Sequence, residues 1–119
     1  MEKDLKPLSK LTVFIGGDER RGHQPLYHAV MGLLRARLIA GATVMKGVMS
    51  YGHTRLIHTT LNEITMENLP VMIEAIDERE KIEQVAPLVA EMLGEHGLVQ
   101  IQTTAALRRG TRPEERRAS

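Results

Sequence analysis

Apolar residues recur with a period of two in four stretches of this chain and with a helical period in two longer stretches between them. The first strand is predicted over Leu11-Thr12-Val13-Phe14-Ile15, which is apolar and β-branched, stops at Gly16-Gly17 and puts Leu11, Val13 and Ile15 on one face. Pro25 suits a first helical position, and Leu26, Val30, Leu33, Leu34 and Leu38 follow at helical spacing. This predicts a helix from Pro25 to Ala40, with Gly41 as its left-handed stop. Ala42 to Met49 reads as a second strand with Gly47 as a bulge position, and Ile57 to Ile64 as a hairpin arm. Pro70 to Ile76 forms a third strand, with Pro at a first position that can spare its donor. Asp77 is expected to cap a second helix with an apolar stripe of Ile82, Val85, Val89, Met92 and Leu93, kinked at Pro87 and ended by Gly97. Leu98 to Ala105 completes the set as a fourth strand.

Strand-helix-strand thus occurs twice, which predicts an α+β fold of the ferredoxin-like β-α-β-β-α-β type with an antiparallel sheet and both helices on one face. The other face is left uncovered. Phe14, Met45, Met49, Met72, Ile76, Val99 and Ile101 are the apolar residues whose sides the helices need not all reach, so burial of sheet surface between copies of the chain is expected. Residues 1–9 read as a loose lead-in, 10–107 as the domain, and 108–119 as a basic, flexible tail.

A length of 119 residues fits a single core and is too short for two. The charges change the functional picture more than the fold: 16 basic against 15 acidic residues give a formal net charge of +1, without the broad positive footprint that nucleic acid or anionic lipid selects. Two Tyr, one Phe and no Trp are too few for a base-stacking platform. Neither a nucleic-acid partner nor direct membrane insertion is expected. The absence of Cys excludes disulfides, thiolate catalysis and sulfur-ligated zinc, and a start without an apolar leader-like run points to the cytoplasm.

Individual motifs carry little chemistry by themselves. Gly16-Gly17 ahead of a helix invites a phosphate-loop reading, but Asp18 and Glu19 would repel the anion and the Walker spacing is missing. His23, His28, His53, His58 and His96 include no pair at the i, i+4 spacing of a helix-borne metal site, so no metal site is assigned. Ser50 near His53 lacks both a nucleophile elbow and an orienting acid, so no catalytic residue is assigned and the chain is read as a binding module and not an enzyme. Lys46 and Arg55 flank the Ser50 turn and, with Arg108 and Arg109, form the set of cations suited to a small anion.

Gly41-Ala42-Thr43-Val44-Met45-Lys46-Gly47-Val48-Met49-Ser50-Tyr51-Gly52, preceded by Pro25-Leu26-Tyr27 and followed by Asn68-Leu69-Pro70-Val71-Met72-Ile73-Glu74 and Asp77, resembles the domain of unknown function one-ninety family of the PII-like superfamily. The resemblance runs from about Leu11 to Leu107. It implies a PII-like homotrimer with small-molecule sites between subunits, signalling to a protein or membrane-transporter target through a mobile loop after the second strand. It further implies an adenine nucleotide as the anionic ligand, with no obligatory cofactor. Carried over by position, Thr43 resembles the threonine beside the base. Ser50, Tyr51, Gly52 and His53 resemble the segment whose backbone nears the ligand, and Arg108 and Arg109 the basic pair that reaches the phosphates.

Two departures stand out. Glu95-His96-Gly97-Leu98 replaces the superfamily's Gly-Asp-Gly-Lys turn and removes its phosphate-gripping Lys, and Ser50 replaces a turn Gly. The alternatives are a metal-responsive trimer of the cation-tolerance type and a weak nucleotide hydrolase.

Overall fold

Among the described residues, four strands of the main sheet and two helices follow in the predicted order, and a hairpin of two-residue strands precedes the first helix. The structure is a computed structural model that describes residues 5–47 and 69–107. The elements are β1 (Leu5–Ile15), β2 (Arg20–Arg21), β3 (Gln24–Pro25), α1 (Leu26–Ala36), β4 (Ala42–Lys46), β5 (Val71–Asp77), α2 (Arg79–Leu93) and β6 (Gly97–Leu107). The main sheet has the order β4-β5-β1-β6, and every neighbouring pair is antiparallel, which is the ferredoxin-like topology. The predicted hairpin arm at Ile57 to Ile64, the end of the second strand at Val48 and Met49, and the tail 108–119 lie outside the described residues.

Period two decides what is buried. Leu11, Val13 and Ile15 of β1 and Val71, Ile73 and Ala75 of β5 face the helices and join one core with Val30 and Leu34 of α1 and Ile82, Val85, Val89 and Leu93 of α2. At about 1.5–3 kcal/mol for each fully buried aliphatic side chain, this single cluster is the main source of stability.

Four predicted boundaries move, each for a local reason. β1 begins at Leu5, inside the stretch expected to be a lead-in, because Leu5 to Leu8 pair with Thr104 to Leu107 at the far end of the chain. Pro7 is tolerated there because β5 pairs with β1 only from Ser9 onward, leaving one edge of Leu5–Leu8 without a neighbouring strand among the described residues. α1 ends at Ala36, and the left-handed residue after it is Leu38 at φ 58°, not Gly41. Asp77 belongs to β5 and is not the cap of α2, whose N-cap position is Glu78 and carries no side-chain capping bond. The stop of α2 is Gly94 at φ 56°, not Gly97, and the helix runs through Pro87 as one element.

Gly97 has a different duty. A Cβ built on it would sit 2.6 Å from the Phe14 carbonyl oxygen and 2.9 Å from Leu93 Cδ1, so the start of β6 closes against β1 and α2 only without a side chain.

Among the described residues, the second face of the sheet carries no helix. Register places Met45, Met72, Phe14 and Leu98 in one row across its four strands, and Phe14 is 40% exposed and Leu98 61% exposed. Ile76 shares this face, whereas Val99 packs against the core. Ile101 pairs with Leu11 on the helix side but remains 46% exposed on the outer strand.

Candidate ligand-binding site

Thr43 and Lys46 lie on the same short strand but on opposite faces of the sheet. Thr43 pairs with Glu74 on the open face, and Lys46 pairs with the buried core residue Val71 on the helix face. An odd separation of three residues in a strand requires this division. The Lys46 ammonium stands 5.3 Å from the centroid of the Tyr27 ring, a cation–π distance, and Tyr27 meets the His28 ring edge-on at 4.5 Å. Lys46 is therefore held toward the start of α1.

On the open face Thr43 opens a polar row, Thr43–Glu74–Thr12–Gln100, that crosses all four strands beside the apolar row of Met45, Met72, Phe14 and Leu98. Thr12 is buried and Glu74 half-buried within it. The row offers hydroxyl, carboxylate and amide groups side by side, a set able to hydrogen-bond a polar heterocycle or a facing polar strand. Sequence reading missed Glu74, Thr12 and Gln100. The signal was present as strand parity, but pairing register is needed to align the three residues.

The base of the segment between β4 and β5 is pinned where Gly47 N–H donates to the Pro70 carbonyl at 2.8 Å. Lys46, Val71, Ile15 and Gly97 stand together at this end of the sheet. β6 starts here and runs eleven residues to Leu107 at the opposite end, a span of roughly 33 Å at about 3.3 Å per residue. Ser50, Tyr51, Gly52, His53, Arg108 and Arg109 lie outside the described residues. The strands that lead to these two groups nevertheless leave the sheet at opposite ends.

The turn that replaces Gly-Asp-Gly-Lys offers an imidazole already engaged: His96 Nδ1 lies 3.2 Å from Glu19 Oε2, and Glu19 itself is held by its N–H donating to the Gly16 carbonyl. A shallow, mainly apolar groove at the end of α1, lined by Met31, Leu34, Arg35, Leu38 and Ile39, contains none of the predicted site residues. Among the described residues no three His, Asp or Glu side chains gather as a metal site would need, and no helix is long and apolar enough to cross a membrane.

Comparison with known proteins gives this geometry its setting. Residues 8–106 match the family model DUF190, described as "Uncharacterized ACR". The chain belongs to the DUF190 family. A relative of this DUF190 protein is the UPF0166 protein MJ1524 of Methanocaldococcus jannaschii, 35% identical over 83 residues that make up 70% of this chain and 75% of the relative. Among solved structures, the fold matches CPII of Thiomonas intermedia K12, a nitrogen regulatory PII-like protein bound to ADP, AMP and bicarbonate. That match has a TM-score of 0.67 at 20% identity and covers 87% of this chain and 92% of that one. A putative PII-like signaling protein of Thermus thermophilus matches with a TM-score of 0.65 at 15% identity, over 88% and 94% of the two chains. At such identities the likeness is one of fold, and it establishes the DUF190 domain as PII-like in architecture.

Proposed function

We propose that this DUF190 protein is a PII-like regulator that binds a small anionic ligand, an adenine nucleotide foremost, in clefts between the subunits of a homotrimer. The observation that carries this reading is the division of the site within one chain. Lys46 and Gly47 stand at one end of the sheet, while β6, the strand that precedes Arg108 and Arg109 in sequence, ends at Leu107 at the other. A pocket that combines these cations therefore draws them from different subunits. The row of exposed Met45, Phe14 and Leu98 with half-buried Met72 supplies the apolar surface for such an assembly. The nucleotides bound by CPII, which has the same architecture, support the ligand class.

In this reading Thr43 hydrogen-bonds the base, the backbone of Ser50 to His53 closes on the ligand, and Lys46, Arg108 and Arg109 neutralise its phosphates. The segment Tyr51 to Asn68 answers the ligand and meets a protein or transporter target, by differing in ligand affinity between two arrangements. The function requires no bond-making chemistry from the protein, which acts as a binding module in the cytoplasm.

Thermal denaturation with ADP, AMP, ATP and divalent ions tests the reading. A ligand at a hundred times its dissociation constant adds about 2.7 kcal/mol of stability. Stabilisation by an adenine nucleotide that is reduced in Thr43→Val and lost in Arg108→Ala supports it. Stabilisation by metal ions alone, or steady release of hydrolysis product, replaces it with a metal-responsive module or a hydrolase.

A further inference from the structure

The two helices, side by side on one face of the sheet, carry opposite net charge: α1 holds Arg35 alone, with Arg37 at its C-cap, and α2 holds Glu80, Glu83 and Glu91 against Arg79 and Lys81. From Arg20 to Lys46 the chain holds five cations, Arg20, Arg21, Arg35, Arg37 and Lys46, and no carboxylate. From Glu74 to Glu95 it holds seven carboxylates against Arg79 and Lys81. The outward stripe of α1 is His28, Gly32, Arg35 and Ala36, all exposed, and that of α2 includes Glu80, Gln84, Pro87 and Glu91, also exposed. Glu83 is already engaged by Arg79 at 2.7 Å, and Lys81 is turned inward, its ammonium donating to the Leu38 carbonyl and lying 3.5 Å from Asp77 Oδ2. The carboxylates of Glu80 and Glu91 therefore set the charge of the outer stripe of α2.

We propose that this helix layer is a self-complementary docking surface, on which a second copy of the chain seats its acidic α2 against the basic α1 about a two-fold axis. With the axis parallel to the helices, each α1 meets the partner's α2, and both contacts of the isologous pair join unlike charges. An axis in the same plane but across the helices sets like against like and is repelled. The layer thus selects one arrangement. A flat anionic bilayer is a poorer occupant, because approaching the cations of α1 brings it onto the carboxylates of α2 beside them.

Gly32 adds an independent sign of close approach. A glycine inside an exposed helix costs about 1 kcal/mol relative to Ala. A Cβ at Gly32 would touch nothing within 4 Å, so the fold of the single chain gives no reason for its absence. A partner helix laid across His28, Gly32 and Arg35 gives one. The surface is separate from the open sheet face, so it pairs whichever basal unit that face assembles.

Sedimentation equilibrium of the full chain at low salt and at 1 M NaCl tests the proposal, because the screening length falls from about 10 Å at 0.1 M to about 3 Å at 1 M. The expected result is association of basal units at low salt, to a dimer where the unit presents one such layer and to larger multiples where it presents several, that reverts to the basal mass at high salt. Arg35→Glu with Arg37→Glu abolishes the association, as does Glu80→Lys with Glu91→Lys. An equimolar mixture of the two double variants restores it, since each then offers the other unlike charges at both contacts. Gly32→Gln raises the unfolding temperature of the basal unit yet weakens the association. A basal mass that does not change with salt at high protein concentration overturns the proposal, as does failure of the mixture to restore association. Salt-sensitive binding to phosphatidylglycerol vesicles without association overturns it in favour of a membrane surface. A change in the basal unit itself bears on the sheet-face assembly and leaves the salt-reversible association as the readout for this surface.

Discussion

Asp77 Oδ2 accepts the backbone N–H of Ala40 at 2.9 Å, which ties the turn after α1 to the junction of β5 and α2 across 37 residues of chain. The same carboxylate accepts the N–H of Glu78 through Oδ1 at 2.7 Å and faces the Lys81 ammonium at 3.5 Å. Asp77 is fully buried, so these partners take the place of water. Asp77→Ala strands two donors and removes the carboxylate facing Lys81, which keeps the Leu38 carbonyl, and is expected to lower stability by about 3 kcal/mol. Asp77→Asn, which keeps one acceptor oxygen, loses less. Urea denaturation at constant m-value checks the order of the two variants.

Gly97→Ala is expected to destabilise the fold by about 1–3 kcal/mol, because its methyl group would meet a backbone oxygen at 2.6 Å and a buried Leu at 2.9 Å. Backbone cannot step aside as a flexible side chain can. A shift of the urea midpoint, with the far-ultraviolet dichroism spectrum retained, distinguishes this close-packing role from a loss of fold.

Local periodicity was enough to read the order of the elements and the buried face of each strand. Leu11, Val13 and Ile15 alternate, and Ile82, Val85 and Val89 recur at helical spacing, whatever the rest of the chain does. What escaped depends on partners far away in sequence. Leu5 to Leu8 are strand because Thr104 to Leu107 pair with them, and Asp77 turns from cap to tie because Ala40 arrives beside it. Leu38 adopts the left-handed conformation three residues before the glycine expected to do so, and its carbonyl there accepts from the Lys81 ammonium, a partner 43 residues away. The candidate site was legible as residue types, but the separation of Thr43 from Lys46 by the sheet follows from parity, a rule as readable in the sequence as in the fold.

Phe14 is the centre of the exposed apolar row, with Met72 on one side and Leu98 on the other. If copies of the chain cover this row, Phe14→Asp sets a charge against apolar surface in every subunit and forfeits about 1.5–3 kcal/mol of aromatic burial per copy. The expected outcome is a monomer by light scattering that keeps its secondary structure. An unchanged mass would place the subunit contacts elsewhere.

Thr43 and Lys46 allow a test that separates a shared ligand from two unrelated surface roles. They stand on opposite faces of one strand, with the sheet between their side chains, so within a single chain their substitutions should act independently. A ligand gripped between subunits couples them, since Thr43 of one copy and Lys46 of another then contact one molecule. Thr43→Val should weaken nucleotide binding by roughly two- to tenfold, the value of one hydrogen bond of about 0.5–1.5 kcal/mol. Lys46→Ala should weaken it more, as loss of a charge-assisted bond does. In the double variant, measured by titration calorimetry, the losses should fall short of or exceed their sum by at least about 0.5 kcal/mol, and Phe14→Asp alone should abolish the binding. Simple additivity in the assembled protein would mean that the two side chains serve different surfaces, with Lys46 confined to its place over Tyr27.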